Sequence, residues 1–129
     1  MGYRLAPLEH KEASMHIKAI RTQALSLPEA TEEPHFDYAS FRVGGKIFMT
    51  VPPDETHAHI FLAEQDRELA LAMYPDFVEK LMWGKRIAGV RVALSKARPA
   101  VIRSLVRKAW EHKAPKRLIA AAPGGGERD

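Results

Sequence analysis

"FDYASFRVGGKIFMTV", residues Phe36–Val51, decides the fold. Two β-rich runs flank Gly44-Gly45, a dipeptide that takes the positive φ angles of a two-residue turn without steric cost. The stretch therefore reads as an antiparallel hairpin. A turn of that length sets Val43 opposite Lys46 and predicts Phe41 opposite Phe48. The other face then carries Phe36, Tyr38, Ile47, Met49 and Val51, together with Arg42. Both faces are partly apolar, so one packs on helices and the other needs a cover, a partner or a ligand.

Outward from the hairpin the elements follow from periodicity. Upstream, Ile17, Ile20, Ala24 and Leu27 fall at helical spacing and predict an amphipathic helix over Glu9–Leu27. Leu27-Pro28 ends it, because a residue before proline avoids helical geometry. Downstream, "PPDET" is a turn and "HAHIFL" (His57–Leu62) a third strand. "AEQDRELALAMY" (Ala63–Tyr74) is a second helix with acids in its first turn, where the helix dipole favours them. "DFVEKLMW" (Asp76–Trp83) fits either a short helix or a fourth strand. "RIAGVRVAL" (Arg86–Leu94) alternates, with Ala88, Val90, Val92 and Leu94 inward and Arg91 on the wet side. "RPAVIRSLVRKAWEHKA" (Arg98–Ala114) is the last helix, its apolar stripe being Val101, Ile102, Leu105, Val106, Ala109 and Trp110. No internal repeat is visible. The expectation is an α+β domain of two layers, an antiparallel sheet of about five strands with helices on one face, in the order α-β-β-β-α-β-β-α. It spans residues 1–118, and 119–129 reads as a flexible tail.

Composition narrows the class. The chain has 129 residues, 46% hydrophobic and 28% charged, which suits one soluble domain with a real core. It has no cysteine, so a disulfide framework, a thiol nucleophile and a thiolate metal site are excluded. "MGYRLAPLEHKEAS" has no apolar core of signal-peptide length, and no window holds the roughly 18 apolar residues of a spanning helix. A cytoplasmic protein with no membrane role is expected. Charge is sharply divided. Glu29–Glu79 holds eleven acids against three cations, a net of −8, and Lys85–Arg117 holds eleven cations against Glu111 alone, a net of +10. Such a split points to nucleic acid or another acidic partner, unless the halves lie side by side and neutralise each other.

The stretches "LPEATEE", "FRVGGKIF", "WGKRIAGVRV" and "HKAPKRL" together resemble the MmcQ/YjbR-like family, over roughly Glu9–Leu118. The resemblance implies a small α+β domain similar to double-wing DNA-binding folds and to secretion-chaperone-like architecture. Members are commonly labelled DNA-binding, with no agreed reaction. Where many relatives continue past Lys85 into a His- and Trp-rich strand, this chain runs Arg86-Ile87-Ala88-Gly89.

The candidate nucleic-acid contacts are Lys46 at the hairpin tip and Lys85, Arg86, Arg91, Arg103, Arg107, Lys116 and Arg117. Arg103 and Arg107, four apart, share a helix face. Phosphate tracking needs cations on one surface more than it needs a fixed motif. Trp83 and Trp110 are of a type that stacks on bases, although packing is the first expectation for both. His57 and His59 share a strand face and with His35 would make three metal ligands. Without a carboxylate at fixed spacing they read as surface histidines beside a turn. There is no GxSxG elbow, P-loop, GxGxxG or HExxH, and no helix-turn-helix, zinc-finger or basic-zipper signature. The sequence therefore predicts a non-enzymatic protein, without cofactor, metal or small-molecule substrate, that binds DNA with low specificity. The alternative is a module that takes a protein partner, or a second copy of itself, on an apolar sheet face. Cations converging on one convex surface favour the first; cations interleaved with Glu64, Glu68 and Asp76 beside an open apolar face favour the second.

Overall fold

The computed structural model describes residues 17–121. Helix α1 (17–26) is followed by β1 (Thr31–His35), β2 (Tyr38–Val43), β3 (Lys46–Val51) and β4 (His57–Ile60). Then come α2 (Glu64–Met73), β5 (Val78–Trp83), β6 (Arg86–Ala93), α3 (Pro99–Lys113) and α4 (Lys116–Ala121). The α+β class and the one-sided helical layer are as expected, but the sheet has six strands, ordered β1-β2-β3-β4-β6-β5 and antiparallel throughout. The strand absent from the sequence reading is β1. All five of its residues, Thr31-Glu32-Glu33-Pro34-His35, are exposed, so no apolar alternation marks it. Pro34 is tolerated because β1 is an edge strand. Asp76–Trp83 resolves as strand β5, and a short helix, α4, extends past 118 to Ala121. The first eight residues of the predicted first helix, and the predicted tail from 122 onward, lie outside the described residues. Among the described residues no helix is long and apolar enough to cross a membrane.

The core lies between the sheet and the helices. Phe41, Val43, Phe48, Met49, Ala58, Ile60, Val90 and Val92 face it from the sheet, and Ile20, Ala24, Ile102, Leu105, Val106 and Trp110 face it from the helices. Helix α3 lies mainly on β3, and α2 covers β5 and β6. The two-residue turn does hold Val43 opposite Lys46, but Phe41 pairs with Met49 and not with Phe48. Phe48 is an extra residue, a β-bulge, and a bulge changes which side chains share a face. Phe48 and Met49 are consequently both buried in the core. Val51 follows them there, so Met49 and Val51 leave the open face on which strict alternation placed them.

The β5–β6 hairpin repeats this layout. Each hairpin has a two-residue turn, then two cross-strand pairs, then one extra residue on the outgoing strand: Phe48 in the first and Ala88 in the second. Residues 41–49 and 81–89 thus form a structural repeat. Gly44 and Gly45 both have positive φ, as a type I′ turn requires. In Gly84-Lys85 only the glycine does, the pattern of a type II′ turn. Strands β3 and β6 run in the same direction on either side of β4, so both tips project from one end of the sheet. In the sheet order the second hairpin is reversed left to right. Equivalent positions therefore face opposite sides. Val43 is in the core, whereas its counterpart Trp83 is 66% exposed, which corrects the expectation that Trp83 packs. Ala88, the bulged counterpart of Phe48, faces the open side and not the core.

Gly89 sits where β6 crosses behind Phe61. A Cβ there would lie 2.5 Å from the Ile60 carbonyl oxygen and 3.2 Å from Phe61 Cδ1. Gly89→Ala is expected to destabilise the fold by about 1–3 kcal/mol, because backbone must shift to admit the methyl group. Urea denaturation checks it; an unchanged midpoint would mean that the β4–β6 pairing yields without cost.

Candidate functional site

On the open face one polar row crosses all six strands, each member in register with the next: Glu33, Ser40, Thr50, His59, Arg91 and Glu79. Much of the row is satisfied internally. The Ser40 hydroxyl donates to the Glu33 carbonyl at 2.7 Å and accepts from Arg42 Nε at 3.1 Å, and Arg91 is ion-paired with Glu79.

Aromatic side chains flank this row on both sides and line a cleft of about 830 Å³. His35 and Phe36 stand at the β1–β2 turn with ring centroids 4.9 Å apart. Tyr38 reaches over β3 to His59, with ring centroids 6.1 Å apart. Phe61 lies across β6 at Gly89 and meets Trp83 of β5 at 5.9 Å. The missing side chain at Gly89 is what lets Phe61 lie flat there. Leu81, Ile87 and Ile47 fill the floor between the rings. Leu81 is buried, yet it stands outside the main core cluster, so this face has an apolar centre of its own.

Two features mark the cleft as more than an uncovered sheet. Phe36 is 91% exposed and is held at φ 59°, a conformation that is unfavourable for a bulky side chain. Phe36-Asp37 is the two-residue turn between the paired His35 and Tyr38, so turn geometry sets that φ and leaves the ring standing in solvent beside the cleft. Secondly, the cleft is lined by no carboxylate, while Arg86 and Lys113 are among its walls. The short strand β4 explains how Lys113 reaches it. That strand stops at the level of Met49 and Val90, so a notch opens between the two hairpin tips, and the end of α3 enters the notch from behind with His112 and Lys113. Both His59 and His112 have pKa values below that of an ordinary imidazole. For His59 the causes are burial first and the Arg91 guanidinium second. For His112 they are burial, then Lys113, with Lys46 also near enough to contribute. Both shifts favour the neutral form of the ring.

The eight predicted cations divide into two sets. Lys46, Lys85 and Arg86 stand at the same end of the sheet, on strands separated by β4, with Lys116 following Pro115, which lies against Gly44. Among the described residues none of these four has an ion pair. The others are dispersed or engaged. Arg91 pairs with Glu79, Arg107 with Glu111 at 3.2 Å, and Arg117 with Glu29 at 3.1 Å. Arg103 is exposed and has no ion pair among the described residues, but it belongs to the helical layer, where its backbone carbonyl accepts from Gln23 of α1. The acidic and basic halves of the chain thus neutralise each other in part, as Lys108 and Asp66 also do at 3.6 Å. Phe36, Tyr38, His59, Phe61, His112 and Lys113 were not among the predicted nucleic-acid contacts, although hairpin alternation placed Phe36 and Tyr38 on the face left for a cover, a partner or a ligand. The recurrence of a glycine turn 40 residues on, each turn followed by a cation and then isoleucine, marks the second hairpin, but it points to none of these six side chains. Among the described residues no three histidine, cysteine or carboxylate side chains form a metal site.

No curated protein and no solved structure matches the chain. The YjbR family model matches residues 25–112, a span that holds the entire sheet, both hairpins and nearly all of α3. The chain belongs to the YjbR family.

Proposed function

We propose that this YjbR-family protein is a non-enzymatic, cytoplasmic nucleic-acid-binding protein with little sequence preference, and that its contact surface is the open sheet face with the two hairpin tips. The observation that carries this reading is the composition of the cleft: rings and apolar side chains with no carboxylate, and Arg86 and Lys113 in its lining, with Lys46 and Lys85 at the hairpin tips of the same sheet end. Planar bases and phosphate are the two chemistries such a surface complements. Two cation-bearing hairpins projecting from one end also agree with the double-wing form that the sequence resembles. The predicted phosphate contacts of α3 take a smaller part in this reading, since Arg107 is already paired and Arg103 belongs to the helical layer.

Fluorescence anisotropy of labelled oligonucleotides across salt concentrations tests it. Four cations on phosphate give a log–log salt slope of roughly −3 on a single strand and somewhat steeper on a duplex. Micromolar binding with that slope is the expected result. Absence of binding at low salt would remove the reading. The rival is a protein partner, or a second copy, on the same face, and it is favoured by the exposure of Phe36, Met82 and Trp83. Sedimentation equilibrium distinguishes it: self-association that blocks oligonucleotide binding would favour the rival.

A further inference from the structure

Taking the nucleic-acid reading as its basis, we infer that the ligand is single-stranded, with bases laid on the rings of the cleft and Trp83 as the main stacking platform. The first ground is geometric. The aromatic line runs diagonally from the β1–β2 turn to the β5–β6 turn, passing from Phe36 through Tyr38, His59 and Phe61 to Trp83. At about 4.8 Å between strands, the crossing from β1 to β5 covers about 24 Å. A mononucleotide does not span that distance, whereas a short strand does.

The second ground is chemical. A duplex keeps its bases stacked on one another and offers only their edges in the grooves, so it has no use for exposed ring faces. A single strand offers both faces of each base. Trp83 is suited to this, since its ring is two-thirds exposed and is braced on one side by Phe61. It also directly precedes the Gly84-Lys85-Arg86 turn, so a base on its ring brings the neighbouring phosphates toward two cations free of ion pairs among the described residues. The third ground is the notch itself. It is a concave gap between two projecting hairpins, with Lys113 reaching in from behind, and a strand of single-nucleotide width can enter where a double helix meets only the tips.

The test compares the wild-type chain with Trp83→Ala and Trp83→Phe on twelve-nucleotide oligo-dT, oligo-U and a duplex of equal length, by anisotropy and by tryptophan emission. Both single strands are expected to bind about tenfold or more tightly than the duplex and to quench the exposed indole. The oligo-dT and oligo-U arms separate DNA from RNA as the source of the strand. Trp83→Ala is expected to lose the quenching and about tenfold or more in affinity for single strands, with little change on the duplex. Trp83→Phe should retain most of the affinity, which a merely structural role would not require. Trp110 is fully buried, so the quenching reports Trp83. Duplex binding equal to or tighter than single-strand binding, insensitive to Trp83→Ala, would overturn the inference and leave the nucleic-acid reading standing. No binding of any of the three would overturn both.

Discussion

Reversing charge at one hairpin tip, in the double variant Lys85→Glu/Arg86→Glu, is expected to lower affinity for oligonucleotides by about a hundredfold at low salt. The same exchange on the helix, Arg103→Glu/Arg107→Glu, is expected to change it by less than about threefold. The difference follows from what surrounds each pair. Lys85 and Arg86 are exposed on a turn, have no ion pair among the described residues, and adjoin a cleft without carboxylates. Each can therefore place its full charge on a phosphate. Arg107 is bound to Glu111 and stacked over Trp110 at 6.0 Å, so its charge is already committed inside the helical layer. Arg103, exposed and without an ion pair among the described residues, lies on that layer and not on the open sheet face. The salt slope gives an independent check: losing two contacts to a single strand should flatten it by about 1.4. Anisotropy at three or more salt concentrations measures both quantities. Equal losses from the two double variants would mean that the ligand tracks the helix, and would move the site off the sheet.

That contrast also shows what a charge count along a sequence can miss. The run from Lys85 to Arg117 is strongly basic, but its cations go to different places. Arg91 lies on the open face and is taken by Glu79, Lys108 reaches Asp66, and Arg117 reaches Glu29 across the fold. Every one of those acids comes from the acidic half. A one-dimensional charge split is thus in part the signature of two halves packed together, and the cations left without an ion pair among the described residues include those at the hairpin turns. Lys46, far from the basic run in sequence, joins Lys85 and Arg86 because both hairpins end at the same edge of the sheet.

Much of the architecture was legible because it depends on local chemistry. Gly44-Gly45 specified a hairpin, Pro28 and Pro99 bounded helices, and the alternation of Val90 and Val92 with Arg91 oriented a strand. Two kinds of feature were not legible. Strand β1 forms because β2 offers it a partner, and its own residues carry no apolar pattern. The bulges at Phe48 and Ala88 shift the register by one residue, and a one-residue shift transfers a whole set of side chains to the other face. Met49 and Val51 moved to the core for that reason. The aromatic cleft is likewise a product of topology: His59 and Trp83 become neighbours of Tyr38 and Phe61 only through the strand order.

Trp83 and Trp110 look alike in the sequence, and the second of the two large predictions separates them. Trp110→Ala is expected to destabilise the protein by about 3–5 kcal/mol, a large part of the 5–15 kcal/mol typical of a domain. Among the described residues Trp110 is the largest fully buried side chain, and it packs from α3 into the core beneath the sheet. Its indole N–H donates to the Pro28 carbonyl at 3.1 Å, tying α3 to the loop after α1, so truncation leaves both a cavity and an acceptor without its donor. Trp110→Phe fills most of the volume and loses the hydrogen bond, and a smaller loss of about 1–2 kcal/mol is expected. Trp83→Ala removes a ring that is mostly in solvent, and its effect on stability should lie within about 0.5 kcal/mol. Urea denaturation of the three variants ranks them. If Trp83→Ala proved as damaging as Trp110→Ala, the Trp83 ring would be a support of the fold, and the open face would lose its stacking platform. If the ranking holds, the fold depends on one tryptophan while the other remains free to meet a ligand.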